Sequence, residues 1–527
     1  EKRQELRRTI DLCARAGLVP GRIDGETARR DARVLFGLAA CLSDTARHEE
    51  AMQVFDALRA AAEDAGDEEL GLRTAARRAK FEYPVKGAAA VDETLLRRAA
   101  EALPSCAERL MARYTLGLVA KYRGELGDAE TWLRSAEALG RELGNAAMLS
   151  SCLDQLAALA RRQGRPHEAE QLYADAARVS ADAGRRTNAA ISEVNRALVA
   201  FTRGALDGLE QDLQRSIRAL ALEGAVSWAA QAGIVLAHLK YANGDLAGAA
   251  VEADRCLRSL TGTRSLPGIA SAHLACGQFA AYRGDLHEAE RHLQAAKDAN
   301  LKQANLASGL AWAAAVTAEC RCFAGDFEGA VGSAEEALAR IGGDPSAYPG
   351  DEVICWLAES VLFGLPQTVL RDVDVAHDAG VGGERASAAA LLQGARAYVD
   401  PRGSPDALRA AARVLRGAGI GEHRASRRIV AAWLEAEAWR RAGVPEEAVE
   451  SARAALGQAD ALGHVWLQAA LLEQILAVDV PPRPSPVDGR LPARRASRGH
   501  RREIGRTAPV RAVAAPVARR LALISLP

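Results

Sequence analysis

The sequence lacks any run of about 18 apolar residues, so it predicts no helix that crosses a membrane. Aromatic residues make up only 4% of the 527 residues, and the nine cysteines are scattered singly, without the spacing of a disulfide framework. Such cysteine usage is typical of a reducing compartment, and we expect a cytoplasmic location. The chain begins without an initiator methionine or an apolar signal peptide. We therefore expect either a fragment or a chain whose beginning has been removed.

Nucleotide-binding motifs are also missing. None of the seven lysines lies in a phosphate-binding loop of the form G-x-x-x-x-G-K-[ST]. The glycine-rich stretch 417–421 follows a helical pattern, whereas a dinucleotide-binding fingerprint needs a strand before it and a helix after it. The sequence therefore predicts no cofactor.

Two local patterns approach metal sites without matching one. His287 and His292 are five residues apart, whereas the zinc-protease helix H-E-x-x-H places them four apart on one face. Cys320 and Cys322 have no partner pair at zinc spacing, and a helix turns their sulfurs about 200° apart. We expect no metal site and no catalytic residue, so any catalytic module would lie outside this chain.

A short motif recurs along the sequence. It consists of a glycine, four residues, and a small apolar residue that begins a new helix, as in Gly124 to Ala129. Successive copies are about 40 residues apart, and a period of this length is typical of repeat proteins. Three of the copies are degenerate. The closing positions are Ala51, Ala90, Ala129, Ala169, Leu209, Ala249, Ala289, Ala330, Val369, Leu408 and Ala448.

Each repeat is predicted to form two antiparallel helices. Glycine ends a helix because it adopts the left-handed conformation without a steric penalty. Apolar residues follow the small residue at intervals of four and seven, as Leu133 and Ala136 follow Ala129, which gives one apolar helix face. One pair cannot bury that face alone, but stacked pairs can. The predicted fold class is therefore all-α: an α-solenoid of about eleven helical hairpins.

The repeats resemble the tetratricopeptide repeat, although the unit is longer here, at about 40 residues in place of about 34. The signature residues are Leu116, Gly117, Gly124, Ala129, Leu133 and Ala136, and again Leu156, Ala157, Gly164, Ala169, Tyr173 and Ala176. The longer unit is similar to solenoids of large bacterial signalling regulators: MalT-like and LuxR-type ATP-binding activators, and ATPase-linked nucleotide cyclases and kinases. The resemblance covers about residues 30–475 and implies a right-handed superhelix that recognises other proteins.

The same resemblance implies that the first helices of the hairpins line a concave groove. Residues just before the turn glycines would then point into it, as partner contacts or as packing between repeats. Aromatic and arginine side chains suit binding because they offer large contact areas or bidentate pairing with acidic groups. The candidate groove residues are Lys121, Tyr122, Arg161, Arg162, Phe201, Tyr241, Tyr282, Phe323, Arg440 and Arg441.

Composition changes near residue 480. The segment 481–527 contains eleven arginines but only Asp488 and Glu503 as acids, and eight of the nineteen prolines. We expect a solenoid at 1–480 and a disordered basic tail at 481–527, or a tail created by a reading-frame artefact. The segment does not resemble the helix-turn-helix of about sixty residues that a LuxR-type activator would carry, so we expect no nucleic-acid binding by this chain.

The predicted function is a protein- or peptide-binding scaffold or sensor in a cytoplasmic bacterial signal-transduction regulator, with an acidic partner. One alternative is the ligand-sensing arm of a LuxR-type transcriptional activator whose ATPase and DNA-binding domains are missing. Another is the C-terminal region of an ATPase-linked cyclase or Ser/Thr kinase. The MalT-like resemblance also implies a small-molecule effector inside the superhelix. No membrane partner is expected.

Overall fold

A computed structural model describes most of the chain before residue 480. The described ranges are 2–45, 47–86, 90–203, 205–263, 265–301, 307–341, 350–373, 384–417 and 424–479. Regular structure in these ranges is helical throughout, with no strand among them. The predicted all-α fold class is confirmed, whereas the predicted tail at 481–527 lies outside the described residues.

Helices follow one another along the whole described chain. The first are α1 (Lys2–Arg15), α2 (Gly25–Arg30), α3 (Ala32–Asp44), α4 (His48–Ala65), α5 (Glu68–Lys86), α6 (Glu93–Ala102), α7 (Ala107–Arg123), α8 (Leu126–Glu142), α9 (Ala146–Arg162), α10 (Pro166–Asp182) and α11 (Arg186–Thr202). They continue with α12 (Leu209–Leu222), α13 (Val226–Ala242), α14 (Leu246–Leu260), α15 (Leu266–Tyr282), α16 (Leu286–Leu301), α17 (Ala307–Ala324) and α18 (Phe327–Arg340). The last are α19 (Gly350–Leu362), α20 (Glu384–Val399), α21 (Pro405–Gly417), α22 (Arg424–Arg441), α23 (Pro445–Leu462) and α24 (Val465–Asp479).

The turn between α7 and α8 shows how a repeat is built. Gly124 adopts the left-handed conformation, with φ of 81°. This bend lets the amide of Glu125 donate to the carbonyl of Ala120 at 3.0 Å, which satisfies a carbonyl that the helix end would leave without a partner. The chain then reverses into α8. The tetratricopeptide-like hairpin predicted from the glycine motif is therefore present.

Stacking of the hairpins produces the solenoid. The first helix of one hairpin packs on the first helix of the next, as α7 does on α5 and α9, and α15 on α13 and α17. Ala129, Leu133 and Ala136, the predicted apolar face of α8, are completely buried. The first helices thus lie next to one another in a row, which we call the inner row, and we call the second helices the outer row.

One predicted outer helix differs from expectation. The copy of the motif at Gly364 to Val369 is followed by a 3-10 helix, Gln367–Leu370, and not by a full α-helix. Pro366 directly precedes it, but prolines at the same position of the motif, Pro166 and Pro445, begin full α-helices, so proline alone does not account for the shorter element. The residues that follow at 374–383 lie outside the described ranges.

The described chain belongs to two compact units, Glu1–Arg196 and the part from Ala197 onward, here called unit 1 and unit 2. The period of the repeats passes through this boundary without a change of composition, so the sequence gives no signal for it. No helix in the described part of the chain is both long and apolar enough to cross a bilayer.

Close approach of α7 and α8 depends on Gly117. A Cβ atom at this position would lie 2.7 Å from Cγ of Leu133, a completely buried side chain. Such a distance is far below normal contact, so the helices would have to move apart. The contrast is Gly37 in α3, where an added Cβ would meet no atom within 4 Å.

We predict opposite effects for the same substitution at these two sites. Gly117→Ala should lower the free energy of unfolding by about 1–2 kcal/mol because of overpacking. Gly37→Ala should raise it by about 0.5–1 kcal/mol, since alanine favours a helix more than glycine does. Urea denaturation followed by far-UV circular dichroism measures both. Equal effects at the two positions would contradict the tight crossing.

Candidate functional site

The inner face of unit 1 carries a continuous row of half-buried side chains. On α7 this row consists of Met111, Tyr114, Leu118 and Lys121, which are spaced by three or four residues. Residues at such spacing share one face of a helix. α7 packs against α9, its neighbour in the inner row, which carries an equivalent row of side chains one period later.

On α9 the corresponding row is more polar. Ser151, Asp154, Ala158 and Arg161 are half-buried at the same three- or four-residue spacing, and the adjacent Arg162 is exposed. The two helices are related by one period of the repeat, so Asp154 occupies the position of Tyr114, and Arg161 that of Lys121. The small side chain of Ala158 lies between the two charged positions of α9.

Three cations converge at one end of this face. Burial, together with the positive charges of Arg162 and Arg161, lowers the pKa of Lys121 to about 8. Its ammonium donates a hydrogen bond of 2.5 Å to the side-chain oxygen of Gln155, nearly two turns before Arg161 and Arg162 on α9. These three residues, which we call the cation cluster, repel one another, and a bound anion would relieve that repulsion.

A carboxylate lies further along the same face. Asp154 accepts a hydrogen bond of 2.8 Å from the hydroxyl of Ser192 on α11. Burial raises the pKa of Asp154 to about 6, although the hydrogen bond from Ser192 lowers it. Burial also raises the pKa of Tyr114 and of Tyr173, and the charge of Asp154 adds to both shifts. Asp154 therefore lies in a desolvated position beside aromatic rings. Among the described residues no lysine or arginine forms an ion pair with it.

The predicted groove positions therefore divide into two groups. Lys121, Arg161 and Arg162 lie together on the inner face of unit 1, where a partner could reach them. The side chain of Tyr122 lies outside the described residues. Asp154 was not among the predicted positions. Its correspondence, one period later, with Tyr114 on the inner face of α7 is the signal that could have identified it.

The other four aromatic candidates lie in unit 2 and are buried. Phe201 and Phe323 are 3% and 4% exposed, and Tyr241 and Tyr282 are at most 1% exposed. The rings of Tyr241 and Tyr282 stack on each other at 5.3 Å. The expectation that these four residues line an open groove is therefore corrected, because the rings pack between neighbouring repeats. Burial leaves them no surface for a partner.

The last helix of the described residues, α24, accounts for part of this burial. At the start of α24, the indole N–H of Trp466 donates a hydrogen bond of 2.9 Å to the carbonyl of Ala281. Its ring stacks on Phe323 at 4.9 Å, with the ring planes 6° apart. The ring of His464 stacks on Tyr282 at 4.4 Å. The beginning of α24 therefore covers the ends of α15 and α17.

Beneath these rings the interior of unit 2 contains buried acids. Glu319 is 1% exposed, and burial followed by the neighbouring charge of Glu359 raises its pKa well above the usual range. The side chain of Gln278 donates a hydrogen bond of 3.2 Å to the hydroxyl of Tyr282 in the same region. Burial of this kind favours the neutral form of the carboxyl group. This interior therefore differs from the charged, half-buried face of unit 1.

Arg440 and Arg441, the candidate arginine pair of unit 2, both form intramolecular contacts. Arg440 forms an ion pair of 2.6 Å with Glu437. Arg441 pairs with the same carboxylate, and its guanidinium donates to four backbone carbonyls around the C-terminal end of α20. Those carbonyls belong to Ala397, Tyr398, Asp400 and Gly403. The expectation that this pair faces a partner is corrected for Arg441, which is 13% exposed and bound to backbone carbonyls, whereas Arg440 pairs with Glu437 and is 44% exposed.

The near-metal pattern forms a local hydrogen-bond chain. The ring nitrogens of His292 lie 2.8 Å from a ring nitrogen of His273 and 3.0 Å from the carboxylate of Glu288. In the described ranges, no three or more His, Cys, Asp or Glu side chains are grouped so that they could hold a metal ion. Cys320 and Cys322 are both buried in the core of unit 2.

Comparison with known proteins gives no match to a protein-family model and none to a curated protein. Three similar solved structures are a Rap protein complexed with Competence and Sporulation Factor, the apo quorum sensor NprR from B. thuringiensis, and apo RapI. Their identities to this chain are 11%, 11% and 9%, and their TM-scores are 0.44, 0.42 and 0.46. The matches cover 63%, 63% and 70% of this chain and 92%, 99% and 98% of those chains. At these identities the likeness concerns the chain fold alone.

We predict a pH-dependent stability effect of Asp154. Because its folded pKa of about 6 exceeds the ordinary value of 3.8, folding favours the protonated form. That contribution is present below pH 4 and is lost as the pH rises through 6, by about 2 kcal/mol between pH 4 and 7. Asp154→Asn removes the titration, so its stability relative to the wild type should rise by about 2 kcal/mol between pH 4 and pH 7.

Urea denaturation at both pH values provides the measurement. The matched control is Asp182→Asn, at an exposed position on α10, which should show no such difference. If Asp154→Asn had the same effect at both pH values, the carboxyl group would be titrating as an ordinary exposed one.

We further predict that Trp466 stabilises unit 2. Trp466→Ala should lower the free energy of unfolding by about 3 kcal/mol, because it removes a packed ring and a hydrogen bond. Trp466→Phe should lower the free energy of unfolding by only about 1 kcal/mol, since it loses the hydrogen bond but retains the stacking on Phe323. The control Trp228→Ala, at a side chain 44% exposed, should stay within about 0.5 kcal/mol. Urea denaturation measures these differences. Equal effects of Trp466→Ala and Trp228→Ala would contradict a stabilising role of Trp466.

Proposed function

We propose that unit 1 is a binding module for an extended acidic segment of a protein or peptide partner. The observation that carries this proposal is the convergence of Lys121, Arg161 and Arg162 on a half-buried inner face. Lysine and arginine usually point into water, where their charges are screened, and here three of them lie close enough to lower the pKa of Lys121. An acidic ligand would relieve this repulsion.

The physical basis is electrostatic. A carboxylate pairs with arginine through two parallel hydrogen bonds, which are stronger than those between neutral groups. Ion pairing is also stronger at a half-buried surface than in open water, because the effective dielectric constant is lower. Gln155 holds the ammonium of Lys121 in place through its 2.5 Å hydrogen bond, so the cation is oriented before a ligand arrives.

The role that fits this module is that of a scaffold or sensor within a larger signalling regulator, in keeping with the sequence resemblance to bacterial regulators. The partner would bind to unit 1, and we assign no catalytic step to the chain. A sensor arm of a LuxR-type activator would use the same surface, and its other domains would lie outside this chain.

Charge reversal on α9 tests the proposal. The probe is a fluorescein-labelled, N-acetylated ten-residue peptide of alternating Asp and Thr, whose binding is followed by fluorescence anisotropy. The double variant Arg161→Glu/Arg162→Glu should bind it at least about tenfold more weakly, because a repulsive pair replaces an attractive one. Helicity and melting temperature should stay nearly unchanged, since Arg162 is exposed and Arg161 half-buried.

The matched control is Arg178→Glu/Arg185→Glu, which changes the net charge equally at two exposed positions on α10 and the turn after it. This variant should bind as the wild type does. An equal loss in both double variants would indicate unspecific attraction by net charge, and absence of binding by the wild type would refute the proposal.

A further inference from the structure

Asp154 has a fixed spatial relation to the cation cluster. It precedes Arg161 by seven residues on α9, which is nearly two full helical turns, so both side chains leave the same face. At a rise of 1.5 Å per residue, the two positions are about 10 Å apart along the helix axis. The inner face therefore carries a carboxylate near the middle of α9 and cations at the C-terminal end of this helix, with Ala158 between them.

Within the described part of the chain, Asp154 also lacks a charged partner. The hydroxyl of Ser192 donates a hydrogen bond to Oδ1 of Asp154. The other carboxylate oxygen, Oδ2, accepts no hydrogen bond from the described residues. Most other acids on these helices do have a cation: Glu108 pairs with Arg77, and Glu130 with Arg165. A half-buried carboxylate without a cation is costly for the folded state, and a ligand that supplies one gains affinity.

We infer that Asp154 forms a second subsite of the same face and receives a cationic group of the ligand: a lysine or arginine side chain or a free amino terminus. The inference rests on the proposed function. Tyr114 flanks this subsite from α7, and an aromatic ring beside a carboxylate is a favourable environment for a cation. Tyr173 lies near Asp154 from α10, and Ser192 faces it from α11.

The spacing defines the ligand further. An extended peptide rises about 3.3 Å per residue, so about 10 Å corresponds to three residues. The ligand that fits both subsites therefore carries a positive group about three residues away from an acidic one. A purely acidic segment would place a negative charge beside Asp154 and lose affinity there.

This arrangement gives binding a characteristic pH profile. Asp154 gains its charge as the pH rises through about 6, and Lys121 loses its charge above about 8. Affinity for a bipolar ligand should therefore be highest between these values and fall on either side. An acidic ligand without a positive group should show only the decrease above about 8.

Two peptide probes separate the subsites. The first is a labelled, N-acetylated peptide in which one lysine stands three residues before a pair of aspartates, with alanine and threonine elsewhere. The second has glutamine in place of that lysine. The wild type should bind the lysine probe about tenfold more tightly than the glutamine probe. Asp154→Asn should abolish this preference without weakening the glutamine probe, whereas the control Asp182→Asn should retain it.

The outcomes distinguish this inference from the proposed function. If the wild type binds both probes equally, and Arg161→Glu/Arg162→Glu weakens both, the Asp154 subsite is refuted while the cation cluster stands. If neither probe binds, both proposals fail. The subsite would also be refuted if Asp154→Asn still bound the lysine probe more tightly than the glutamine probe. The same holds if the affinity of the wild type for the lysine probe did not decrease below pH 6.

Discussion

The structure depends on the close contact of two helices within each hairpin. Gly117 allows α7 to approach Leu133 of α8, and Ala129 and Ala136 complete a face without exposed surface. Because these residues are small, the backbones come close and each hairpin presents a flat apolar side to the next. Stacking then buries what a single hairpin leaves exposed. The candidate face of unit 1 follows from this stacking, since it brings α7 and α9 side by side.

Two adjacent positions of the repeat differ between the two units. Three residues before the turn glycine, unit 1 carries Lys121 and Arg161, whereas unit 2 carries Tyr241. Two residues before it, unit 2 carries Tyr282 and Phe323. The cations of unit 1 keep its inner face charged and half-buried. The rings of unit 2 stack on one another, and His464 and Trp466 at the start of α24 cover them. The same architecture therefore supports an accessible polar face in one unit and a packed interior in the other.

Charged groups on the inner face of unit 1 reduce the stability of the free protein. Lys121 sits beside two other cations, and Asp154 is desolvated with no counter-ion among the described residues, so both pKa values are shifted toward the neutral forms. Shifts of this kind are common where a surface serves binding and not folding. By contrast, the acids that support the fold, such as Glu108 and Glu437, have arginine partners and lowered pKa values.

The sequence by itself determined the helical hairpins, since glycine turns and small apolar residues act locally and recur with the period of the repeat. It also predicted Lys121, Arg161 and Arg162 as candidate groove residues, because they stand just before the turn glycines. Only the tertiary structure decided that Arg441 binds the backbone at the end of α20, that Trp466 covers Phe323, and that Ser192 is the described partner of Asp154. These contacts join residues 38 to 185 positions apart, and local patterns contain no information about such pairs.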